Sequence, residues 1–235
     1  METRTQQVLM PWIKVMTKSM PYTRTVPFPR TAGRRRIEVF SPKIGRRLSL
    51  GSYDASRTWL VIEANPDIVT FCERPTYVEG RRGLVIDFWV QLRGAPAGEF
   101  RTVEGPPRAS SEDDSPSPEQ PSHLHKLAVR YISRADLIAW AVPLANWAHI
   151  TPYLVSHRRY RDALLEQQIM AFLLQDESLD SVLAHFSKCD ETTLQAALFQ
   201  LLAEGRVISP DLACEPMDGS TRFHRLPVTL AGARA

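Results

Sequence analysis

The stretch Trp59–Gln91, WLVIEANPDIVTFCERPTYVEGRRGLVIDFWVQ, reads as the apolar end of a helix, a turn marked by Pro66, and a hairpin whose second arm carries Asp87. That aspartate interrupts a strand that is otherwise apolar. A carboxylate in such a place loses hydration, so it persists only beside hydrogen-bond donors, a cation or a metal. Asp87 is therefore the first candidate for a functional site.

On the N-terminal side of this stretch, residues 37–40 and 47–50 flank the turn SPKIG as a β-ribbon, and residues 52–63 are expected to be helical. Residues 76–79 are expected to pair with 84–92 across GRRG. On the C-terminal side, residues 105–122, GPPRASSEDDSPSPEQPS, hold five prolines and five serines and have nothing to bury, which predicts a flexible insertion. Beyond it, Leu127 to Ile132 reads as a short strand that rejoins the sheet. Ser133 and Asp136 then form a capping-box pattern that opens a helix.

From Thr151 the pattern becomes helical. Tyr160 to Gln175 places Leu164, Leu165, Ile169, Phe172 and Leu173 on one stripe, Ser178 caps Leu179 to Phe186, and Asp190 precedes a third helix ending at Gly205. Arg206 to Leu212 and Thr221 to Leu226 read as two strands joined by MDGS. Three helices followed by a hairpin spell a winged-helix-like domain. Its third helix, ETTLQAALFQLLAEG, has no Arg or Lys, so protein contact suits it better than DNA reading. The expected division is residues 1–150, an α/β unit with a mixed sheet, and residues 151–235, the helical unit.

The 235 residues are 43% hydrophobic, enough for one sizeable or two small cores. Three widely spaced cysteines, Cys72, Cys189 and Cys214, fit neither a disulfide framework nor a zinc knuckle. No apolar run approaches the roughly 20 residues of a membrane span, and the start METRTQQVLMPWIKVMTKSM lacks the signal-peptide pattern, so a cytoplasmic location is expected. The net charge of +3 hides an asymmetry: residues 1–60 hold 12 Lys or Arg against three acids, about +9 by count. Arg34, Arg35, Arg36, Lys43, Arg46 and Arg47 are the candidate DNA-binding residues, because clustered guanidinium groups pair with phosphate and release counterions. An ordinary solvated basic surface is the alternative.

Several segments taken in order resemble the TnsA family, the endonuclease subunits of heteromeric transposases related to the Tn-seven elements. They are RRRIEVFSPKIGRRLSLGS at 34–52, LVIEANPDIVTFCERP at 60–75, VIDFWV at 85–90, VRYISRADL at 129–137 and the C-terminal helical part. The resemblance implies a restriction-endonuclease-like first domain that cuts DNA at the 5′ ends of a transposon with Mg²⁺ or Mn²⁺. It also implies a second domain contacting partner proteins, with a DDE-type transposase and an AAA+ ATPase in the same complex. In that layout a strand aspartate, an acid on the preceding helix and an E-x-K or Q-x-K triplet on the next strand surround the metal. Carried over residue by residue, Asp87 matches the strand aspartate. The helix position falls on Ala55, with Asp54 beside it as a shorter substitute. The triplet reads Thr102-x-Glu104, without its lysine, and no lysine occurs between Asp87 and Lys126. The implied catalytic set is thus Asp87, Asp54 and Glu104, with Asp87 and Asp54 as metal ligands. Loss of the lysine removes an electrostatic element from water activation and predicts a weakened or inactive nuclease. A non-enzymatic DNA-binding regulator using the winged helix is the competing reading.

Overall fold

A computed structural model of the chain describes residues 22–28, 36–77, 85–103 and 129–226. Strands β1 (Ile37–Ser41) and β2 (Arg46–Leu50) form an antiparallel hairpin, with Ile37 opposite Leu50. Gly45 turns it at φ +67°, a backbone state that a side chain disfavours. Helix α1 (Tyr53–Ala64) follows; Ser52 caps its first turn by accepting from the Ala55 N–H, and Pro66 lies two residues past its end. Ala55, Trp59 and Ile62 lie on one face of α1 and pack on Leu48, Leu50, Phe71, Phe88 and Val90.

A four-stranded mixed sheet carries the rest of the first half. Strands β3 (Ile68–Glu73), β4 (Phe88–Leu92) and β5 (Glu99–Val103) run as an antiparallel meander, and β6 (Val129–Ile132) lies parallel to β5, giving the order β3-β4-β5-β6. The expected return of the chain to this sheet after residues 105–122 is therefore observed, while the insertion itself lies outside the described residues. The expected hairpin between 76–79 and 84–92 is corrected. Ile68–Glu73 is the partner of β4, and only the bridge between Tyr77 and Val85 remains of the expected pairing, with 78–84 outside the described residues. IVTFCE is rich in β-forming residues, but its nearness to the helix end and Pro66 made it read as turn.

Helix α2 (Arg134–Ala139) opens with the expected capping box between Ser133 and Asp136, and α3 (Ala141–His157) continues after a break at Trp140. The expected division at 150/151 thus falls inside α3, where Ile150 is fully buried. Then come α4 (Ala163–Phe172), β7 (Glu177–Ser178), α5 (Leu179–His185), α6 (Glu191–Ala203), β8 (Val207–Ile208), a 3-10 turn at Pro210–Ala213, and β9 (Arg222–Arg225). The three short strands pair in the order β7-β9-β8. Asp162, Ser178 and Asp190 cap the three helices by accepting backbone N–H groups. Leu164 leaves the expected stripe and is 63% exposed, because the buried row is Leu165, Ile169 and Leu173 at four-residue spacing, and Leu164 stands about 100° from Leu165 around the helix. The first of the two expected strands is short because Pro210 cannot extend it. An α/β architecture with a mixed sheet is therefore the fold class. Among the described residues no helix is long and apolar enough to cross a membrane.

Candidate functional site

Asp87 lies just ahead of β4 rather than within it, half-buried, at the point where β4 and β5 part. The ladder between those strands ends at Phe88 opposite Arg101. One step beyond, Asp87 Oδ2 accepts the Thr102 hydroxyl at 3.0 Å and the Val103 N–H at 2.8 Å. The carboxylate thus replaces a main-chain acceptor that the diverging strand no longer supplies. Its backbone carbonyl accepts the Arg74 N–H at 2.8 Å. Burial pushes the Asp87 carboxyl above its ordinary value, while the bonds from Val103 and Thr102 and the charge of Arg74 pull the other way. Oδ1 makes no hydrogen bond among the described residues.

Of the residues expected to complete this site, the described residues include Asp54. Phe88 packs with Ala55, Trp59 and Ile62 of α1 and stands opposite Arg101, so Thr102, the next residue along β5 and the donor to Asp87, points to the face of the sheet away from α1. Asp54 belongs to α1, where its Oδ2 accepts from Arg134 Nε at 3.0 Å. Asp54 thus makes its ion pair at the start of α2, and its carboxylate makes no hydrogen bond to Asp87. Glu104 and Lys126 lie outside the described residues. Arg101 cannot stand in for the missing lysine, since it faces away from Thr102 and is buried against Glu99 at 2.6 Å. Among the described residues no group of three or more His, Cys, Asp or Glu could hold a metal.

Arg74 is a residue that the sequence reading passed over. Its φ of 49° lies in the left-handed region, which non-glycine residues adopt rarely and often near functional sites. Its guanidinium donates to Val26 O at 3.0 Å and Pro27 O at 3.2 Å, and lies 3.8 Å over the Phe28 ring. Residues 22–28 are thereby strapped along the end of β3, with Tyr22 against Trp89 and Phe100 on the face that bears Asp87. The only sequence signal was the E-R-P triplet ahead of the hairpin.

A second constellation, also missed, joins the β1–β2 turn to α1. Buried Glu63 accepts from the Ser41 hydroxyl, from Trp59 Nε1 at 2.8 Å and from the Lys43 N–H at 3.2 Å. Burial raises its pKa against those bonds. Lys43 Nζ donates to Asn65 O at 2.7 Å and Ile68 O at 2.9 Å, which ties the helix end to β3. Desolvation lowers the Lys43 pKa to about 8, partly offset by Glu63. Lys43 also lines a cleft of about 290 Å³ together with Arg93 and residues of α6.

Of the expected DNA-binding residues, Arg34 and Arg35 lie outside the described residues. Lys43 is turned inward, and Arg46 is held by both oxygens of buried Glu73, at 2.6 and 2.5 Å. Both therefore have partners within the protein, while Arg46 keeps 38% of its side chain exposed. Arg36 and Arg47 remain exposed, Arg36 lying 5.0 Å over Phe28. In the C-terminal half, Arg161 and Arg206 are engaged by Glu166 and Glu204. The N-terminus of α6 carries Asp190 and Glu191, a poor surface for a phosphate backbone. Of Trp59, Trp89, Trp140 and Trp147, whose apolar settings predict core positions, Trp59, Trp89 and Trp147 are buried and Trp140 is partly buried. No known family model matches the chain, and no curated protein matches it.

Proposed function

We propose that this chain is a DNA-holding subunit of the TnsA kind. On this reading it has a restriction-endonuclease-like α/β unit that grips DNA ends through its N-terminal basic region. A winged-helix-like unit then engages partners in a transposition complex, a DDE-type transposase and an AAA+ ATPase. The observation that carries the reading is the bond from Thr102 to Asp87. It joins the strand aspartate to the first position of the triplet on the next strand, as the nuclease layout requires. Support for the second unit comes from the succession α4, β7, α5, α6, β8, β9 with the sheet order β7-β9-β8. Its acidic α6 entry and absence of Lys or Arg on α6 favour protein contact over DNA reading.

Mg²⁺ or Mn²⁺ fits the described residues poorly. They offer one open carboxylate oxygen, Asp87 Oδ1, whereas a divalent ion in such a site needs several oxygen ligands. Asp54 accepts from Arg134 at 3.0 Å. No cleavage step follows from this arrangement. Asp87 instead fixes the splay between β4 and β5.

The test uses the full chain and a fluorescently labelled duplex. Anisotropy should show binding that weakens steeply between roughly 50 and 200 mM salt. Arg36→Ala and Arg47→Ala should each lower the log–log salt slope by about one. With Mg²⁺ or Mn²⁺ present, the duplex should stay uncut by both the parent and Asp87→Asn. Failure to bind DNA at low salt would sink the proposal. Nicking that vanishes in Asp87→Asn would replace it with a working nuclease.

A further inference from the structure

Lys43 holds its amine between two main-chain carbonyls. Nζ donates to Asn65 O at 2.7 Å and to Ile68 O at 2.9 Å, and both acceptors are uncharged. They match the two N–H groups of a neutral amine and leave its lone pair unengaged, whereas the ammonium form carries a third proton with no acceptor among the described residues. Burial disfavours the charge, Glu63 and Asp67 favour it and Arg93 repels it, and the balance lowers the Lys43 pKa to about 8. Near neutral pH roughly a quarter of such amines are unprotonated, against about one in a thousand for an ordinary lysine. Lys43 lines the cleft of about 290 Å³ with Glu63, Arg93, Gln200 and Glu204. Glu204 is engaged by Arg161 at 2.7 Å and Arg206 at 3.6 Å, and Gln200 donates to it at 3.0 Å. Buried Glu63 accepts from Ser41, Trp59 and the Lys43 N–H. Arg93 is exposed, and its guanidinium donates to the Pro66 carbonyl at 3.3 Å, which fixes it over the turn that holds the amine.

We propose that Lys43 is a nucleophilic amine that captures a small anionic aldehyde in this cleft as an imine, with Arg93 pairing the anion. Chemistry selects the occupant. An unprotonated amine in a partly desolvated place attacks a carbonyl carbon. Nζ bonds to that carbon, the carbonyl oxygen leaves as water with the two protons the nitrogen gives up, and C=N replaces C=O. No oxidant, reductant or further reactant is needed. Arg93 selects a molecule that also bears a carboxylate or phosphate, and the acids of the cleft do not oppose it, since Glu204 is ion-paired and Glu63 is buried among donors. The volume is at the small end of ligand pockets and suits a small molecule rather than a chain.

The experiment exposes the full chain to pyridoxal phosphate or to phosphate-free pyridoxal, traps the imines with borohydride and counts them at each lysine by peptide mass spectrometry. Near neutral pH, Lys43 should be labelled by pyridoxal phosphate about tenfold faster than exposed Lys188. Its rate should climb as pH passes through about 8 and then level off. Thermal melting first checks the variants. Arg93→Ala, at an exposed position, should keep the parent's midpoint, slow the phosphate-bearing aldehyde about fivefold and leave pyridoxal unchanged. Lys43→Arg, which keeps donors for Asn65 O and Ile68 O, should lose the fast labelling. Equal labelling of Lys43 and Lys188 in the parent, or a Lys43 rate that rises only at the pH of an ordinary lysine, would overturn the nucleophile. An Arg93→Ala effect that is equal on both aldehydes, or absent from both, would overturn the anion site.

Discussion

At Asp87, desolvation opposes two donated hydrogen bonds, and desolvation is the larger effect. A carboxyl whose folded pKa is raised binds its proton more tightly in the folded state. Its contribution is therefore complete at low pH and is lost as pH climbs from the ordinary 3.8 through the raised value. Asp87→Asn keeps an acceptor for Val103 and Thr102 and removes the charge. The variant should match or exceed the parent in stability at pH 7, and the difference should vanish near pH 3. Thermal unfolding at both pH values checks this. Marked destabilisation at pH 7 would mean that a cation holds the ionised carboxylate. The oddity of Asp87 was legible in the sequence because it broke an apolar run. Its true partners were not, since Thr102 and Val103 meet it only through the β4–β5 register. The partner of Asp54 was hidden for the same reason: spacing along a helix does not say that its first turn will meet Arg134.

The elements are tied where local sequence says least. Glu63 gathers donors from the β1–β2 turn and from its own helix, and Lys43 crosses back to the α1 end and the start of β3. Removing Glu63 leaves those donors unpaired in a buried place. Glu63→Ala should cost about 3 kcal/mol in urea unfolding, and Glu63→Gln clearly less, since its amide oxygen still accepts. Lys43 adds a pH signature. Its folded pKa of about 8 lies below its ordinary 10.5, so the folded state binds fewer protons in that window and stability rises with pH across it. The rise should be on the order of 3 kcal/mol and absent in Lys43→Met; a flat difference between the two proteins would refute the assignment. The ribbon and α1 were readable from alternation and capping. β3 was not, because six β-prone residues directly behind a helix end have no turn signal of their own. Nor did anything local mark Lys43 as an inward residue inside a basic segment.

Across the whole molecule, the two halves share their packing. Leu60 and Ala64 of α1 rest on the core built by α3, α4, α5 and α6, and α3 runs unbroken through 150/151. Arg158 at the end of α3 lies 4.2 Å over Phe40 of β1. Gly205, at φ +70°, has no room for a side chain, as a Cβ there would stand 2.8 Å from Pro66 Cβ in the turn after α1. These contacts predict one cooperative unit. In a Trp140→Phe, Trp147→Phe variant, urea unfolding followed by tryptophan fluorescence and by far-ultraviolet circular dichroism should give coincident transitions, because Trp59 and Trp89 then report the first half while helix content is weighted toward the other. Gly205→Ala combines left-handed strain with overpacking and should lower stability by about 2 kcal/mol, moving both probes together. A fragment ending at residue 150 severs α3 at buried Ile150 and should lack a cooperative transition. Separate midpoints, or a Gly205→Ala shift seen only by circular dichroism, would instead show two units that fold alone, each open to study by truncation.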